Sequence, residues 1–115
     1  MSAQRDKGTR WESAIVALLQ AAGWPYAERR ALAGTRDRGD IAGVPGLVVE
    51  AKNAARLDLA GWLAEAAEER ANDGAQYGVV WAKRKGKAAA KDGYVVMDGE
   101  TFVRLLAAAL GVGDR

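Results

Sequence analysis

Apolar residues recur at helical spacing over Trp11, Ile15, Leu18, Leu19 and Ala22, one stripe of an amphipathic helix. Thr9-Arg-Trp-Glu12 reads as its opening, Gly23 closes it, and Trp24-Pro25 blocks its extension. Residues 26–32 alternate as a first strand, with Tyr26, Glu28 and Arg30 on one side. Two short apolar runs, Ile41-Ala42 and Leu47-Val48-Val49, flank a Gly/Pro-rich break, a strand-turn-strand signal. Asp58 then predicts an N-cap for a helix reaching about Asn72, with Leu59, Trp62, Leu63 and Ala66 inward and Glu65, Glu68 and Glu69 outward. Residues 75–82 form an apolar run suited to a buried central strand. Residues 92–97 return as its hairpin partner. Asp98 caps a terminal helix whose stripe, Phe102, Leu105, Leu106 and Leu110, ends at Gly111; that stripe suits core or, in part, a subunit interface. The order αβββαββα predicts an α/β fold, a mixed central sheet of about five strands flanked by helices.

Three charges interrupt the strand-turn-strand segment where a buried hairpin would not want them. Glu50 and Lys52 are two apart and so share a strand face, about 7 Å from each other by the strand rise. Asp40 enters from the partner strand. If Val44-Pro45-Gly46 is the connecting loop, Gly43 opposes Leu47 and Asp40 opposes Glu50, on the same face. A four-residue loop sets Asp40 against Val49 instead and separates the carboxylates, so the odd register, or a bulge that restores it, is expected. Converging carboxylates make a hard-oxygen site for a magnesium-type cation. The neighbouring lysine can position a water or offset charge building on a phosphate. The plainer alternative is a solvated strand face bearing a Glu–Lys cross-pair.

Composition narrows the chemistry. At 115 residues the chain suits one domain, residues 1–115, with the polar residues 1–7 as a flexible tail. Half the residues are hydrophobic and 28% are charged, the balance of an ordinary globular protein. No apolar run suits a membrane span or a secretory signal, so a cytoplasmic setting is expected. Cysteine and histidine are both absent. That removes disulfides, thiol nucleophiles, Ser–His triads and the zinc sites that depend on them. Hydrolytic chemistry is left to carboxylates, lysine, hydroxyls and a bound metal.

Gly39-Asp40-Ile41-Ala42 followed by Val48-Val49-Glu50-Ala51-Lys52 resembles the D…(D/E)-x-K signature of the restriction-endonuclease-like nuclease superfamily. With Glu12 on a preceding helix, the order is similar to that of archaeal-type Holliday junction resolvases and their phage relatives. The resemblance implies a restriction-endonuclease-like core and a metal-dependent, structure-selective DNA endonuclease. Asp40 and Glu50 would hold Mg2+, with Mn2+ able to substitute, aided by the Ala51 carbonyl and by Glu12. Lys52 would orient the attacking water or stabilise the transition state. The resemblance also implies a homodimer acting on four-way DNA junctions. Glu12 has a competing role, since Thr9-x-x-Glu12 fits a capping box. Asp37 could be mistaken for the motif aspartate, but only Asp40 abuts the apolar strand residues. The glutamine some relatives carry early in the second helix is missing; the aromatic, Trp62, is present.

The net charge is only +2, so its distribution matters more than its sum. Arg29, Arg30, Arg36 and Arg38 cluster just ahead of Asp40, with Thr35 where resolvase-like relatives carry a small hydroxyl. Lys83, Arg84, Lys85 and Lys87, with Lys91 beyond, form a basic tip. Both groups suit phosphate contacts, and the plainer alternative for each is a solvated turn. Two other functions stay open: a nickase or repair endonuclease using the same residues, and a catalytically silent DNA-binding module in which Glu50 and Lys52 are only a structural pair.

Overall fold

Trp11, Ile15 and Leu19 lie on one face of α1 (Ala3–Ala22) and are buried, as their i, i+4, i+8 spacing requires. The computed structural model describes residues 3–31 and 38–112. The helix starts well before the expected Thr9, and residues 3–7, read as a tail, are its first turns. Thr9 is therefore inside the helix, where its backbone already has helical partners, and the Thr9–Glu12 capping box does not form.

Five strands follow: β1 (Glu28–Arg29), β2 (Ile41–Ala42), β3 (Leu47–Lys52), β4 (Tyr77–Ala82) and β5 (Tyr94–Val96). α2 (Leu59–Asp73) and α3 (Gly99–Leu110) complete the order read from the pattern. β1 is shorter than the expected 26–32; its last expected residue, Leu32, lies outside the described residues. The strands form one mixed sheet in the order β1-β2-β3-β4-β5. Every neighbouring pair is antiparallel except β3 and β4, which run parallel with Glu50 beside Val80 and Lys52 beside Ala82. A parallel pair needs a crossover, and α2 supplies it.

Strand alternation then sorts side chains between two layers. Val49 and Val79 pack with Ile41 against Trp11, Ile15 and Leu19 of α1. Val80 and Ala82 pack on the other face against Trp62 and Ala66 of α2. Trp11 ties the first layer further: its indole N–H donates to the Trp81 carbonyl at 2.9 Å, and Trp81 donates to the Ala90 carbonyl at 3.0 Å. On the second face Gly78 lets α2 come close. A Cβ there would lie 2.9 Å from the Ala66 carbonyl oxygen.

Both predicted caps are present. Asp58 accepts from the Gly61 N–H at 3.1 Å and Asp98 from the Thr101 N–H at 2.7 Å, and Gly74 and Gly111 end α2 and α3 in the left-handed conformation. α3 departs from the core role its stripe suggested. None of its residues is buried, and Phe102, Val103, Leu106 and Leu110 are exposed. Among the described residues no helix is long and apolar enough to cross a membrane.

Candidate metal centre

The β2–β3 register decides whether the motif residues meet. Ile41 pairs with Val49, so the preceding residue, Asp40, faces Glu50, the register required of a three-residue loop. The strand is bent at that point. The Asp40 N–H donates to the Val49 carbonyl at 2.9 Å, while the Asp40 carbonyl accepts from the Arg30 N–H at 2.8 Å; a regular strand residue turns both groups to one neighbour. Gly39 permits the bend with φ +95°, and a Cβ on it would sit 2.8 Å from Val48 Cγ1. The bend delivers the Asp40 carboxylate to β3, where its Oδ2 accepts from the Ala51 N–H at 2.8 Å. Ala51 thus reaches the site through its N–H.

Glu50 and Lys52 project from the sheet face covered by α2. Glu50 is 5% exposed. Lys52 Nζ lies 3.8 Å from Glu50 Oε2 and 3.2 Å from Glu65 Oε1, and hydrogen-bonds both Glu65 oxygens. It also sits 5.9 Å from the centre of the Trp62 ring, within reach of a cation–π attraction.

One residue of the acidic face of α2 departs from the solvated surface expected. Glu69 is 2% exposed and hydrogen-bonds Glu50. Carboxylate oxygens of Glu50, Glu65 and Glu69 lie within 4.8 Å of one another, a group able to hold a metal ion. The signal for Glu69 was present in the spacing: Trp62, Ala66 and Glu69 are i, i+4, i+7, so a helix that buries the first two carries the third inward. Glu65 and Glu68 do stay exposed.

Electrostatics fit a cation there. Burial, then hydrogen bonds to Asp40 and Glu69, then their charges push the Glu50 carboxyl up to about 12. Without a cation Glu50 keeps its proton at neutral pH, and a divalent ion can take the place of that proton among hard oxygen donors. Burial pulls the Lys52 ammonium down, but the charge of Glu50 and the hydrogen bond and charge of Glu65 outweigh it, so its pKa is raised and it stays charged. Glu65 is the nearer of the two carboxyl groups to the ammonium.

The remaining expected residues are dispersed. Glu12 sits on α1, which packs against the opposite sheet face, and its Oε1 accepts from Arg29 Nε at 2.9 Å. Arg29 also reaches the Thr9 hydroxyl at 3.4 Å. Arg30 and Arg38 approach Asp73 at the end of α2, at 3.6 and 3.9 Å. Thr35 and Arg36, and with them Asp37, lie outside the described residues. Lys83 donates to the Arg84 carbonyl at 3.4 Å, and Arg84, Lys85 and Lys87 are exposed on the turn after β4. Among the described residues the two basic groups do not share this cleft: beside Lys83 and Lys85 it takes Lys7 and Arg10 from α1 and none of Arg29, Arg30 and Arg38.

No protein-family model, curated protein or solved structure matches this chain, so the geometry of the carboxylates and Lys52 carries the functional argument.

Proposed function

We propose that this chain is a magnesium-dependent, structure-selective DNA endonuclease of the Holliday junction resolvase kind. The observation that carries the reading is Asp40 facing Glu50 across the β2–β3 register, with Lys52 on the same strand face. The divalent cation supplies Lewis-acid activation of the scissile phosphate and acidification of a water nucleophile. Asp40, Glu50 and Glu69 are the residues to hold it, with Glu65 at the rim; Glu69 fills the third-carboxylate role expected of Glu12. Lys52, kept charged and held by Glu65, is positioned to hydrogen-bond the attacking water or a non-bridging phosphate oxygen. Mn2+ has the same hard-oxygen preference and should substitute.

Recognition of DNA shape through phosphate contacts fits a domain of this size. Cleavage of paired strands calls for two sites, and the exposed apolar face of α3 is the surface we assign to a homodimer. The test is a side-by-side gel assay on four-way junction, flap, nicked, single-stranded and linear DNA in Mg2+ and in Mn2+. Junction cleavage that is lost in Glu50→Gln, Asp40→Asn and Lys52→Ala is the expected result. A wild-type rate in either of the last two variants overturns the assignment, and preferential cutting of nicked or flap DNA makes the chain a nickase or repair endonuclease instead.

A second reading draws on the Lys52–Glu65 contact. With Glu50 protonated and Lys52 answered by Glu65, the lysine's charge is balanced without a cation, as in a catalytically silent DNA-binding module. Such a module binds DNA with strong salt dependence and never cuts it in either metal.

A further inference from the structure

A cleft of about 740 Å3 opens at the ends of β3 and β4. It adjoins the end of the motif strand: Asn53, directly after Lys52, lines it, and the Lys83 N–H donates to the Lys52 carbonyl at 2.8 Å. Ligands of open α/β sheets gather at the carboxyl ends of parallel strands. Lys7 and Arg10 from α1 face this space together with Lys83 and Lys85 from the turn after β4, and none of the described residues lining it is acidic. None of these four cations is ion-paired with a carboxylate among the described residues, whereas Arg29, Arg30 and Arg38 all are. The cleft therefore holds positive charge that nothing in the described fold neutralises.

Its lining also includes apolar surface left open. Tyr94 is 47% exposed and Leu57 62% exposed, both in the wall of the cleft. A cationic channel with an open aromatic ring is the pairing that single-stranded nucleic acids exploit, phosphates against the cations and bases against the ring. The volume falls in the range of small-molecule clefts, about 300–1,000 Å3, enough for a few nucleotides of one strand. We infer that this cleft binds an unpaired stretch of the nucleic-acid strand leading to the carboxylate cluster. Lys7, Arg10, Lys83 and Lys85 grip the phosphates and Tyr94 stacks a base. The inference rests on the nuclease reading for its choice of ligand.

The test measures binding apart from cleavage. Fluorescence anisotropy of the full chain in chelator, with oligothymidylate and with a duplex of equal length, gives affinities across a salt series. The single strand should bind more tightly. Replacing Lys83 and Lys85, or Lys7 and Arg10, by alanine should weaken it at least about tenfold and flatten the salt dependence by about 0.7 in log–log slope for each phosphate the variant no longer neutralises. Tyr94→Leu should weaken it while leaving the slope unchanged, and Tyr94→Phe should restore it. Circular dichroism confirms that each variant is folded. Equal affinity for duplex and single strand, or indifference to the four cations or to Tyr94, overturns the inference. Full displacement of the oligonucleotide by tripolyphosphate, with no role for the ring, overturns it as well. The two readings fail separately: metal-dependent cutting with unchanged binding in the cleft variants defeats only this one, and cleft-dependent binding without any cutting defeats only the nuclease.

Discussion

Lys52 Nζ stands 3.2 Å from Glu65 Oε1 and 3.8 Å from Glu50 Oε2, so the lysine of the strand motif is held chiefly by a glutamate from α2. A strand residue and a helix residue far apart in sequence together set the charge and direction of one ammonium group. Glu65→Gln removes both the hydrogen-bonding carboxylate and its charge, two of the influences that raise the Lys52 pKa. The Lys52 titration, followed by NMR of its side-chain carbon signals, should move down in this variant. A midpoint that stays where it is in the wild type would show that Glu65 does not govern the lysine.

Glu50 sets the pH dependence of the cation-free protein. Its folded pKa, about 12, lies far above the ordinary 4.5, so between those values the native state holds a proton that the unfolded chain has released. The contribution of Glu50 to stability is fully present below about 4.5 and falls as pH rises through the window, by at most about 1.4 kcal/mol per pH unit. Urea unfolding at several pH values in chelator checks the slope. Glu50→Gln, which cannot lose a proton, should flatten it, and a slope equal to that of the wild type would sink the account.

A divalent cation should reverse that loss. Binding to the native state alone at a hundred times its dissociation constant adds about 2.7 kcal/mol. Thermal unfolding with and without Mg2+ or Mn2+ should show a larger gain at pH 8 than at pH 5, because the cation competes with the Glu50 proton. Calorimetric titration should find affinity lowered at least about tenfold in Glu69→Gln; an unchanged affinity would remove Glu69 from the ligand set.

Gly39 is the backbone device that turns Asp40 onto β3. Gly39→Ala meets both the left-handed conformation and the 2.8 Å approach to Val48 Cγ1, a cost of about 1–3 kcal/mol. The variant should lose stability in denaturant and bind divalent cations more weakly, because Asp40 is displaced from the Ala51 N–H. Normal stability with normal metal affinity would mean the bend is incidental.

The apolar face of α3 accounts for the proposed dimer. Leu106→Glu introduces a charge among Phe102, Val103 and Leu110, which are all exposed, so the fold should survive. Sedimentation should then show the wild type as a dimer and the variant as a monomer. A wild type that sediments as a monomer at high concentration would leave the stripe without this role.

Much of the architecture was legible along the chain, because the signals that build it are local. The 3.6-residue spacing of Trp11, Ile15 and Leu19, the caps at Asp58 and Asp98 and the Gly/Pro break between Ala42 and Leu47 each act within a few residues, and together they specify the element order and the Asp40–Glu50 register. The resemblance to the D…(D/E)-x-K signature rested on the same short segment. Tertiary structure decided the rest. Only the packing of α2 on the β3–β4 face brings Glu65 to Lys52 and buries Glu69 beside Glu50. Only the placement of α1 on the other face commits Glu12 to Arg29 and swings Lys7 and Arg10 toward Lys83 and Lys85. Only the third dimension left α3 without a buried residue. The physical reason is that a side chain's period states which face it shares, whereas its burial, its ion partner and its pKa depend on which element lies across that face, a long-range choice that no local stretch contains.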